Sequence, residues 1–568
     1  MLRVGICQLN LTVGDLDGNV ERMLAALAEV TERGGDVAVF PELAVSGYPP
    51  EDLLAKPRFA LDCQAALEKI AAATGRCAAV VGLPVAGEGG ELFNAAAVCA
   101  NGAVAGVERK AHLPNYGVFD EQRHFSAGTP EALFDIAGAA VGISICEDIW
   151  IDGGAVEQLV AGGAELIVNL NASPYNIGKL DERLGVLRRR IERTGCPVVY
   201  VNLVGGQDEL LFDGRSLVLD AGGSVTAAAQ AFSEEVLVVD VEVGRRGGSA
   251  RLDGGALPRI PVSDRPAVMP APLPVTPPAA PLEPTDEIYA ALVLATRDYV
   301  TKNGFADVCV GLSGGVDSSL VATIASDALG PERVHGVLMP SRYSSDHSVS
   351  DAELLCDNLG IEGRLIGIEP AHDAFEQMLA PAFTGLAPDL AEENVQSRIR
   401  AVVLMALANK FGWLVLTTGN KSEAAVGYST LYGDSAGAFA PISDIWKLQV
   451  YELARRRNAV AGAALIPERV LAKAPSAELR PDQRDSDSLP PYESLDPVAR
   501  AFVEGDKTVG ELIAAGADPE LVRRVGRLVD VAEYKRRQGP PGVRVTPKAF
   551  GKDRRMPITN RYRGEARD

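Results

Sequence analysis

A proline-crowded segment near the middle of the chain separates two parts that must fold independently. Ten prolines fall between Arg251 and Thr285, where the apolar periodicity of the flanking sequence stops. Proline fixes φ and lacks an N–H donor, so this composition favours extended polyproline II over a packed core. A chain of 568 residues is also too long for one hydrophobic core. We therefore predict an interdomain linker over residues 246–285, between domains at 1–245 and 286–568.

The net charge limits the partners that such a chain can bind. The formal charge is −21, and hydrophobic residues make up 47% of the sequence. An acidic surface opposes generic binding to nucleic-acid phosphates and to anionic lipid. No charge-free apolar run reaches the ~20 residues of a membrane-spanning helix, and the N-terminus lacks a signal-peptide layout. We expect a soluble, cytoplasmic protein that binds neither nucleic acid nor membranes.

The first part alternates short β-branched runs with alanine-rich helical stretches. Runs such as VGICQLN, AVGISICED and AELIVNLNAS predict buried strands, and residues 20–33 and 59–74 predict helices. This alternation is typical of an α/β fold. Glu42, Cys146 and Asn171 each follow an apolar run directly, and open α/β sheets carry their chemistry at such strand ends.

Three residues of the first part supply the groups needed to hydrolyse an amide through a thioester. Cys146 offers a thiolate, Glu42 a proton acceptor and Lys110 a cation for the oxyanion. A lone strand-end cysteine is more often buried than reactive. However, the segments FPEL-x-x-SGYPP, RKAHLPNYGVFDEQRHF and ICEDIW, in this order, resemble the nitrilase, or carbon–nitrogen hydrolase, superfamily.

The resemblance spans most of residues 1–245 and implies an α-β-β-α sandwich. It implies that Glu42 is the general base, Lys110 stabilises the oxyanion and Cys146 is the nucleophile. A second glutamate, Glu121 in FDEQRHF, would support the lysine and the substrate.

Glutaminase domains within this superfamily imply a glutamine site. The residues that would surround glutamine are Tyr116, Ser173 and Lys179. Lys179 would pair with the α-carboxylate of glutamine. For Glu147, contact with the α-ammonium group and a solvated surface position both stay open.

In the second part, the strand VCVGL runs into a turn of glycines and serines and then into a helix. Backbone N–H groups and a helix N-terminus converge there, which favours an anion. No lysine follows the glycines, so the turn is not a Walker A loop. SGGVDSS resembles the ATP pyrophosphatase fingerprint, whose members release pyrophosphate and adenylate an acyl oxygen. The resemblance assigns ATP binding to Gly311, Leu312, Ser313, Gly314, Gly315, Val316, Asp317, Ser318 and Ser319.

Later segments of the second part resemble the NAD synthetase family over roughly residues 286–560. The matching segments are ENVQSRIR (393–400), TTGNKSE (417–423), LYGD (431–434), KAPSAEL (473–479) and YKR (534–536). The implied domain has a parallel sheet and belongs to the adenine nucleotide alpha hydrolase-like class.

That family implies further contacts in the second part. Thr418 would join the ATP site. The residues that would hold deamido-NAD are Asn394, Glu423 and Lys535. Asp317 and Glu423 would carry Mg²⁺, which prefers hard oxygen ligands beside phosphates. Lys447 and Ser476 resemble additional phosphate contacts.

An amidase joined to an adenylating domain makes sense if the first supplies ammonia to an acyl adenylate made by the second. The resemblances imply a ligase, expected as a homo-oligomer, that amidates deamido-NAD with ATP, Mg²⁺ and glutamine. Two alternatives stay open. One is another ATP-pyrophosphatase amidotransferase, and the other is a nitrilase-like regulator that senses a nucleotide.

Overall fold

The computed structural model describes residues 1–244, 247–248, 255–265, 271–274 and 277–562. The chain forms two compact units, Met1–Pro281 and Leu282–Asp568. Within the described residues, no helix is both long enough and apolar enough to cross a membrane.

The first unit is built mainly of strands. Its strands are β1 (Leu2–Gln8), β2 (Val37–Val39), β3 (Ala78–Ala86), β4 (Leu92–Ala100), β5 (Ala103–Arg109), β6 (Leu133–Ile136), β7 (Ala139–Ile145), β8 (Leu166–Asn171), β9 (Val198–Asn202), β10 (Val204–Gln207), β11 (Leu210–Asp213), β12 (Leu217–Leu219), β13 (Val225–Ala228), β14 (Glu235–Val241) and β15 (Arg259–Ser263). Its α-helices are α1 (Leu16–Glu32), α2 (Phe59–Ala72), α3 (Ala155–Ala161) and α4 (Lys179–Thr194). Single-turn 3₁₀ helices are Glu51–Ala55, Glu121–Arg123 and Cys146–Ile149.

Two large sheets of the first unit pack face to face. Their strand orders are β14-β1-β2-β3-β4-β5 and β13-β12-β9-β8-β7-β6-β15. Because side chains alternate along a strand, Val4 and Ile6 of β1 enter the core between the sheets, together with Val141 of β7. Cys7 of β1 faces the opposite way, into a core that includes Leu27 of α1. With α3 and α4 against the second sheet, the layers confirm the predicted α-β-β-α sandwich.

Part of the predicted linker belongs to the first unit. Arg259–Ser263 forms β15, which pairs in parallel with β6 at the edge of the seven-stranded sheet. This stretch is a strand and not polyproline II; Pro261 is tolerated because an edge strand leaves its outward donors unpaired. Downstream, Leu273 N donates to Asp240 Oδ2 at 2.9 Å. The linker residues that lie outside the described residues are 246, 249–254, 266–270 and 275–276.

The second unit combines a small sheet with many helices. Its strands are β16 (Val308–Leu312), β17 (Val334–Leu338), β18 (Glu362–Leu365) and β19 (Leu414–Leu416). Its α-helices are α5 (Pro284–Lys302), α6 (Val316–Leu329), α7 (Asp346–Leu359), α8 (Glu369–Leu379), α9 (Leu390–Phe411), α10 (Lys421–Val426), α11 (Lys447–Ala461), α12 (Glu468–Ala472), α13 (Tyr492–Val503), α14 (Val509–Ala514), α15 (Pro519–Val531) and α16 (Glu533–Arg536). Single-turn 3₁₀ helices are Pro331–Arg333 and Asp485–Asp487.

The sheet of the second unit is parallel throughout, in the order β18-β17-β16-β19. Cys309, Val337 and Val415 of three neighbouring strands share one core with Ile399 of α9. This arrangement confirms the predicted parallel-sheet domain. Since the carboxyl ends of parallel strands meet at one edge, the loops after β16 and β19 lie near each other, and both carry predicted site residues.

Candidate functional site

Cys146 lies at a sharp bend between a strand and a single helical turn. β7 ends at Ile145, and the 3₁₀ helix begins at the next residue. Cys146 has a φ of 43°, a left-handed conformation that is unfavourable for a side chain with a Cβ atom. Backbone strain of this kind clusters at active sites, where the surrounding structure holds the residue in place.

Lys110 lies between the two predicted glutamates. Its Nζ donates to Glu42 Oε1 at 2.6 Å and to both carboxylate oxygens of Glu121 at 2.8 Å. The Lys110 and Glu42 side chains are fully buried, and Glu121 is 6% exposed. Residues from three separate segments therefore meet in one ion cluster. All three affect the pKa of the Cys146 thiol electrostatically.

Burial and the two glutamates set the protonation of this cluster. Burial disfavours the ammonium of Lys110, but Glu121 and Glu42 outweigh it and raise the pKa of Lys110 well above its ordinary value. Burial also raises the pKa of the Cys146 thiol well above its ordinary value; Glu42 adds to this effect, and Lys110 opposes it. The resting site thus holds a charged lysine beside a protonated thiol, which needs a proton acceptor before it can attack.

Neighbouring groups fix the two glutamates. Ala172 N donates to Glu42 Oε2 at 3.0 Å, and Asn94 Nδ2 donates to Glu42 Oε1 at 2.7 Å. Tyr48 Oη donates to Glu121 Oε1 at 3.1 Å. Our sequence reasoning missed Asn94. A single amide within the apolar strand LFNAAAVCA is the signal that was available, since a buried polar group needs a partner.

Tyr116 and Glu147 meet close to Cys146. Tyr116 Oη lies 3.0 Å from both carboxylate oxygens of Glu147, the residue that directly follows the cysteine. Tyr116 is 59% exposed, whereas Glu147 is 8% exposed. Glu147 is therefore buried and does not occupy a solvated surface position.

Lys179 and Ser173 come from two other segments of the first unit. Lys179 Nζ pairs with Glu182 at 2.8 Å and lies 4.4 Å from the centroid of the Trp150 ring. Burial lowers the pKa of Lys179, against the effect of Glu182. Ser173 is buried, and its main-chain N donates to Asn202 Oδ1 at 2.9 Å.

Arg183 is a buried residue next to Ser173 that our sequence reasoning missed. It forms a bidentate ion pair with Asp213 at 2.7 and 2.8 Å, and it donates to Ser173 O at 2.9 Å. Four other arginines lie on α4, so nothing in the sequence distinguished this one. Its contact with Ser173 fixes the chain next to the predicted glutamine site.

The predicted ATP residues form a compact turn in the second unit. Gly311 and Leu312 end β16, and Val316–Ser319 form the first turn of α6. Gly314 has a φ of 72°, and an added Cβ would lie 2.3 Å from Ser348 O, so glycine is required there. The turn directs the N-terminus of α6 toward one point, which suits phosphate groups.

Asp317 and Glu423 are brought together by Lys447. Lys447 Nζ lies 2.5 Å from Asp317 Oδ2 and 3.5 Å from Glu423 Oε1. Asn420 Nδ2 donates to Asp317 Oδ1 at 2.8 Å. Burial opposes the charge of Lys447, but the two carboxylates outweigh it and raise the pKa of the lysine.

The Asp317 and Glu423 oxygens fit a divalent cation, since both already face one cationic group. Within the described ranges, no set of three or more His, Cys, Asp or Glu side chains is arranged to hold a metal ion. Two carboxylates alone do not complete the coordination of Mg²⁺. The remaining ligands would have to be phosphate oxygens and water, as is usual for Mg²⁺ in nucleotide sites.

Asn394 and Lys535 contact the loop that follows α10. Asn394 Oδ1 accepts from Thr430 Oγ1 at 2.6 Å. Lys535 Nζ donates to Gly427 O and Ser429 O, each at 2.7 Å. Both residues therefore hold the loop that directly follows the helix carrying Glu423.

Two other predicted residues have simpler surroundings. Thr418 is partly exposed and lies two residues after β19. Ser476 Oγ donates to Gln483 O at 2.5 Å and accepts from Glu478 N at 3.2 Å. Ser476 therefore stabilises its own segment in this structure.

A cavity of about 520 Å³ lies beside α11, where Leu448 and Tyr451 line it. Asp485 and Tyr492 are among its lining residues, and Tyr492 Oη donates to Asp485 Oδ2 at 2.9 Å. Lys447 Nζ lies 5.4 Å from the centroid of the Tyr492 ring. The cavity therefore reaches the ring that faces Lys447, while Asp317 and Glu423 are not among the residues that line it.

The geometry of the two sites agrees with the family models that match the chain. Residues 3–250 match the carbon-nitrogen hydrolase family, and residues 288–539 match the NAD synthase family. The chain therefore combines a carbon-nitrogen hydrolase with an NAD synthase.

Relatives with this combination define the family more closely. The chain is 46% identical to the glutamine-dependent NAD(+) synthetase of Aquifex aeolicus, over 99% of this chain and 100% of the relative. It is also 46% identical to the Xylella fastidiosa (strain 9a5c) enzyme of that name, over 99% of each chain. A solved glutamine-dependent NAD+ synthetase from Acinetobacter baumannii, in complex with ADP, is 39% identical with a TM-score of 0.75 over 98% of each chain. The chain belongs to the glutamine-dependent NAD(+) synthetase family.

Proposed function

We propose that this chain amidates deamido-NAD to NAD, using ATP and ammonia that it releases from glutamine. The observation that carries the proposal is the intact cluster of Glu42, Lys110, Glu121 and Cys146 in the same chain as the Asp317–Glu423 site. Residues 1–245 would carry the glutaminase and residues 286–568 the synthetase. The family models over residues 3–250 and 288–539 support this division.

In the glutaminase, Glu42 accepts the proton of the Cys146 thiol as sulfur attacks the amide carbon of glutamine. Lys110 stabilises the negative charge that develops on the carbonyl oxygen. The proton passes to the leaving nitrogen, ammonia departs, and a thioester remains. Glu42 then takes a proton from water, which attacks the thioester and releases glutamate.

Glutamine itself would be held by its α-substituents. Glu147, beside the nucleophile, meets the α-ammonium group, with Tyr116 at the entrance. Lys179 binds the α-carboxylate, for which it must leave Glu182. Ser173, fixed by Arg183, completes the pocket.

In the synthetase, the nicotinate carboxylate of deamido-NAD attacks the α-phosphorus of ATP and pyrophosphate leaves. The turn at 311–319 and Thr418 hold ATP, and Asn394, Glu423 and Lys535 hold deamido-NAD. Mg²⁺, when bound by Asp317 and Glu423, would neutralise charge on the departing pyrophosphate. Ammonia then displaces AMP and gives NAD.

We also propose that the chain forms a homo-oligomer. Large apolar side chains are exposed on α9, among them Leu390 at 68% and Val402 at 67%. Exposed apolar patches of this kind often mark subunit interfaces. Sedimentation velocity should give a mass that is a multiple of the 59.8 kDa chain; a monomer at all concentrations would contradict this proposal.

The test of the function is direct. The protein is incubated with glutamine, ATP, Mg²⁺ and deamido-NAD, and the products are separated. NAD, AMP, pyrophosphate and glutamate should appear in equal amounts. Release of ADP and phosphate, or an absence of turnover, would favour the open alternatives instead.

A further inference from the structure

Asp148 links two segments of the first unit that carry reacting groups. It lies two residues after Cys146, in the same helical turn, and it is 2% exposed. Its Oδ1 accepts from Ala111 N at 3.0 Å and from His112 N at 2.8 Å. Its Oδ2 accepts from Ile145 N at 3.0 Å.

These three amides are directly next to the reacting residues. Ala111 N belongs to the peptide group whose carbonyl carbon is that of Lys110. Ile145 is the residue bonded to Cys146. One carboxylate therefore fixes the backbone on the carboxyl side of the lysine and on the amino side of the cysteine.

Other hydrogen bonds of Lys110 hold it to neighbours outside the Cys146 turn, among them Gly128 N, which donates to Lys110 O at 2.8 Å. Lys110 N donates to Asn94 O at 2.8 Å, which holds the amino side of the residue to β4. The Nζ contacts go to Glu42 and Glu121. Asp148 ties the backbone next to Lys110 to the Cys146 turn, and the Tyr116–Glu147 contact joins the same two segments through side chains.

We propose that Asp148 is a positioning residue that sets the distance between the Lys110 ammonium and the Cys146 sulfur. The proposal rests on the proposed glutaminase function. Its physical reason is that oxyanion stabilisation depends steeply on geometry, so that a displacement of ~1 Å costs about 100-fold in rate.

The chemistry of the link explains why a carboxylate is needed. All its donors are N–H groups, two on one oxygen and one on the other, and the His112 ring nitrogen lies 3.1 Å from Oδ1. An asparagine of the same shape has only one acceptor oxygen. Its NH₂ group would face an N–H donor on one side, and that side of the link would open.

Asp148→Asn is therefore the informative variant, and Asp36→Asn is its matched control. Asp36 is also a buried carboxylate of the first unit and accepts a distant backbone amide, Arg3 N, at 2.9 Å. It lies beside the amino end of β2, away from the reacting residues. Asp36 also pairs with Arg76 at 2.6 Å, so Asp36→Asn weakens both a backbone link and an ion pair, and a general loosening of the unit would affect both variants.

We expect Asp148→Asn to lower kcat for glutamine-driven synthesis by about 10- to 100-fold. KM for glutamine should change less than about twofold, because the Asp148 side chain hydrogen-bonds to none of the proposed glutamine residues. Synthesis from ammonium salts should match the wild type. Asp36→Asn should retain the wild-type kcat with glutamine.

The pH dependence of Cys146 alkylation by iodoacetamide tests the proposal separately from fold stability. Lys110 favours the thiolate, so separation of the two residues should move the alkylation profile of Asp148→Asn to higher pH. Cys146→Ala gives the background from the other cysteines. The profile of Asp36→Asn should superimpose on that of the wild type.

Three results would overturn the proposal. These are an unchanged kcat in folded Asp148→Asn, an equal loss in Asp36→Asn, or an unshifted alkylation profile. If Asp148→Asn does not fold, hydrogen exchange on the wild type decides: the amides of Ala111 and Ile145 should exchange far more slowly than those of loop residues 115–117. Failure of the proposed function itself would look different, because the wild type would then release no ammonia from glutamine.

Discussion

Each unit of the molecule buries a lysine between two carboxylates, and the surroundings of the two lysines differ. Lys110 and Glu42 are fully buried, beside a cysteine held in a strained turn. Lys447 is 3% exposed, but its partners Asp317 and Glu423 are 18% and 19% exposed, beside a phosphate-type turn. The closed cluster suits proton transfer to and from a covalent intermediate, whereas the open one suits phosphates and a metal ion that arrive from solvent.

The difference teaches that an ion cluster alone does not define a reaction. In the proposed mechanism, Lys110 stabilises charge on the carbonyl oxygen of a substrate that is bonded to the protein through Cys146. The ion pairs of Lys447 Nζ go to Asp317 and Glu423, and in the proposed mechanism these carboxylates act on charges that the substrates bring. Breaking each cluster separately should therefore give different patterns of lost activity.

The largest loss should follow from opening the second cluster. Asp317→Ala or Glu423→Ala should reduce NAD formation by at least about 100-fold with either nitrogen source, because the charge on pyrophosphate is no longer neutralised. Glutamine hydrolysis should survive in part. Asp327→Ala is the control, since it removes another carboxylate of α6 that pairs with Arg457. Wild-type NAD formation in either site variant would show that the metal assignment is wrong.

Removal of the nucleophile should eliminate only one of the two nitrogen sources. Cys146→Ala should lose glutamine-driven synthesis and keep ammonium-driven synthesis, because the adenylating site is untouched. Cys63→Ala removes a buried thiol of α2 and should keep both. Loss of both activities in folded Cys146→Ala would refute the division of labour between the units.

The two clusters should also be coupled through ammonia. At neutral pH free ammonia is mostly protonated, and ammonium is not a nucleophile, so we expect transfer inside the protein. With ¹⁵N-ammonium and unlabelled glutamine present together, NAD should carry little label, and glutaminase turnover should rise when ATP and deamido-NAD are bound. Label in proportion to the bulk pool would exclude internal transfer.

The smallest effect concerns His112, two residues after Lys110, and the pH dependence of the stability of the fold. The hydrogen bond to Asp148 raises the pKa of His112, against desolvation. A raised folded pKa stabilises the fold below the unfolded value near pH 6.5, and this stabilisation disappears as pH rises through the folded pKa. Because the side chain is 31% exposed, His112→Gln should cost at most about 0.5 kcal/mol at low pH and less at pH 8. Thermal unfolding of the wild type and of His112→Gln at low pH and at pH 8 measures this difference in stability. An equal loss of stability at the two pH values would contradict the predicted pH dependence.

Residues at strand ends were the most predictable part of the site. Glu42 and Cys146 each follow an apolar run, and the sandwich brings such ends together. Contacts between distant segments were not predictable. Lys447 and Asp317 are 130 residues apart, and no local pattern states that they pair.

The fold was likewise predictable where local sequence patterns determine it and not where it depends on distant segments. The long helices α1 and α2 were predicted from their periodicity, and so were the apolar strands. The short strand β15 was missed because Pro258 and Pro261 disguise it, and because its place at a sheet edge depends on β6. The acidic link through Asp148 was missed since its partners are backbone amides, which leave no trace in the sequence.

The buried, protonated thiol of Cys146 also affects how the protein withstands oxidants. Peroxide oxidises thiolates far faster than thiols, and exposed low-pKa cysteines are the first to form sulfenic acid. Cys146 is 4% exposed and its thiol is held protonated until an amide arrives. We therefore expect peroxide to oxidise the resting Cys146 more slowly than it oxidises an exposed thiolate.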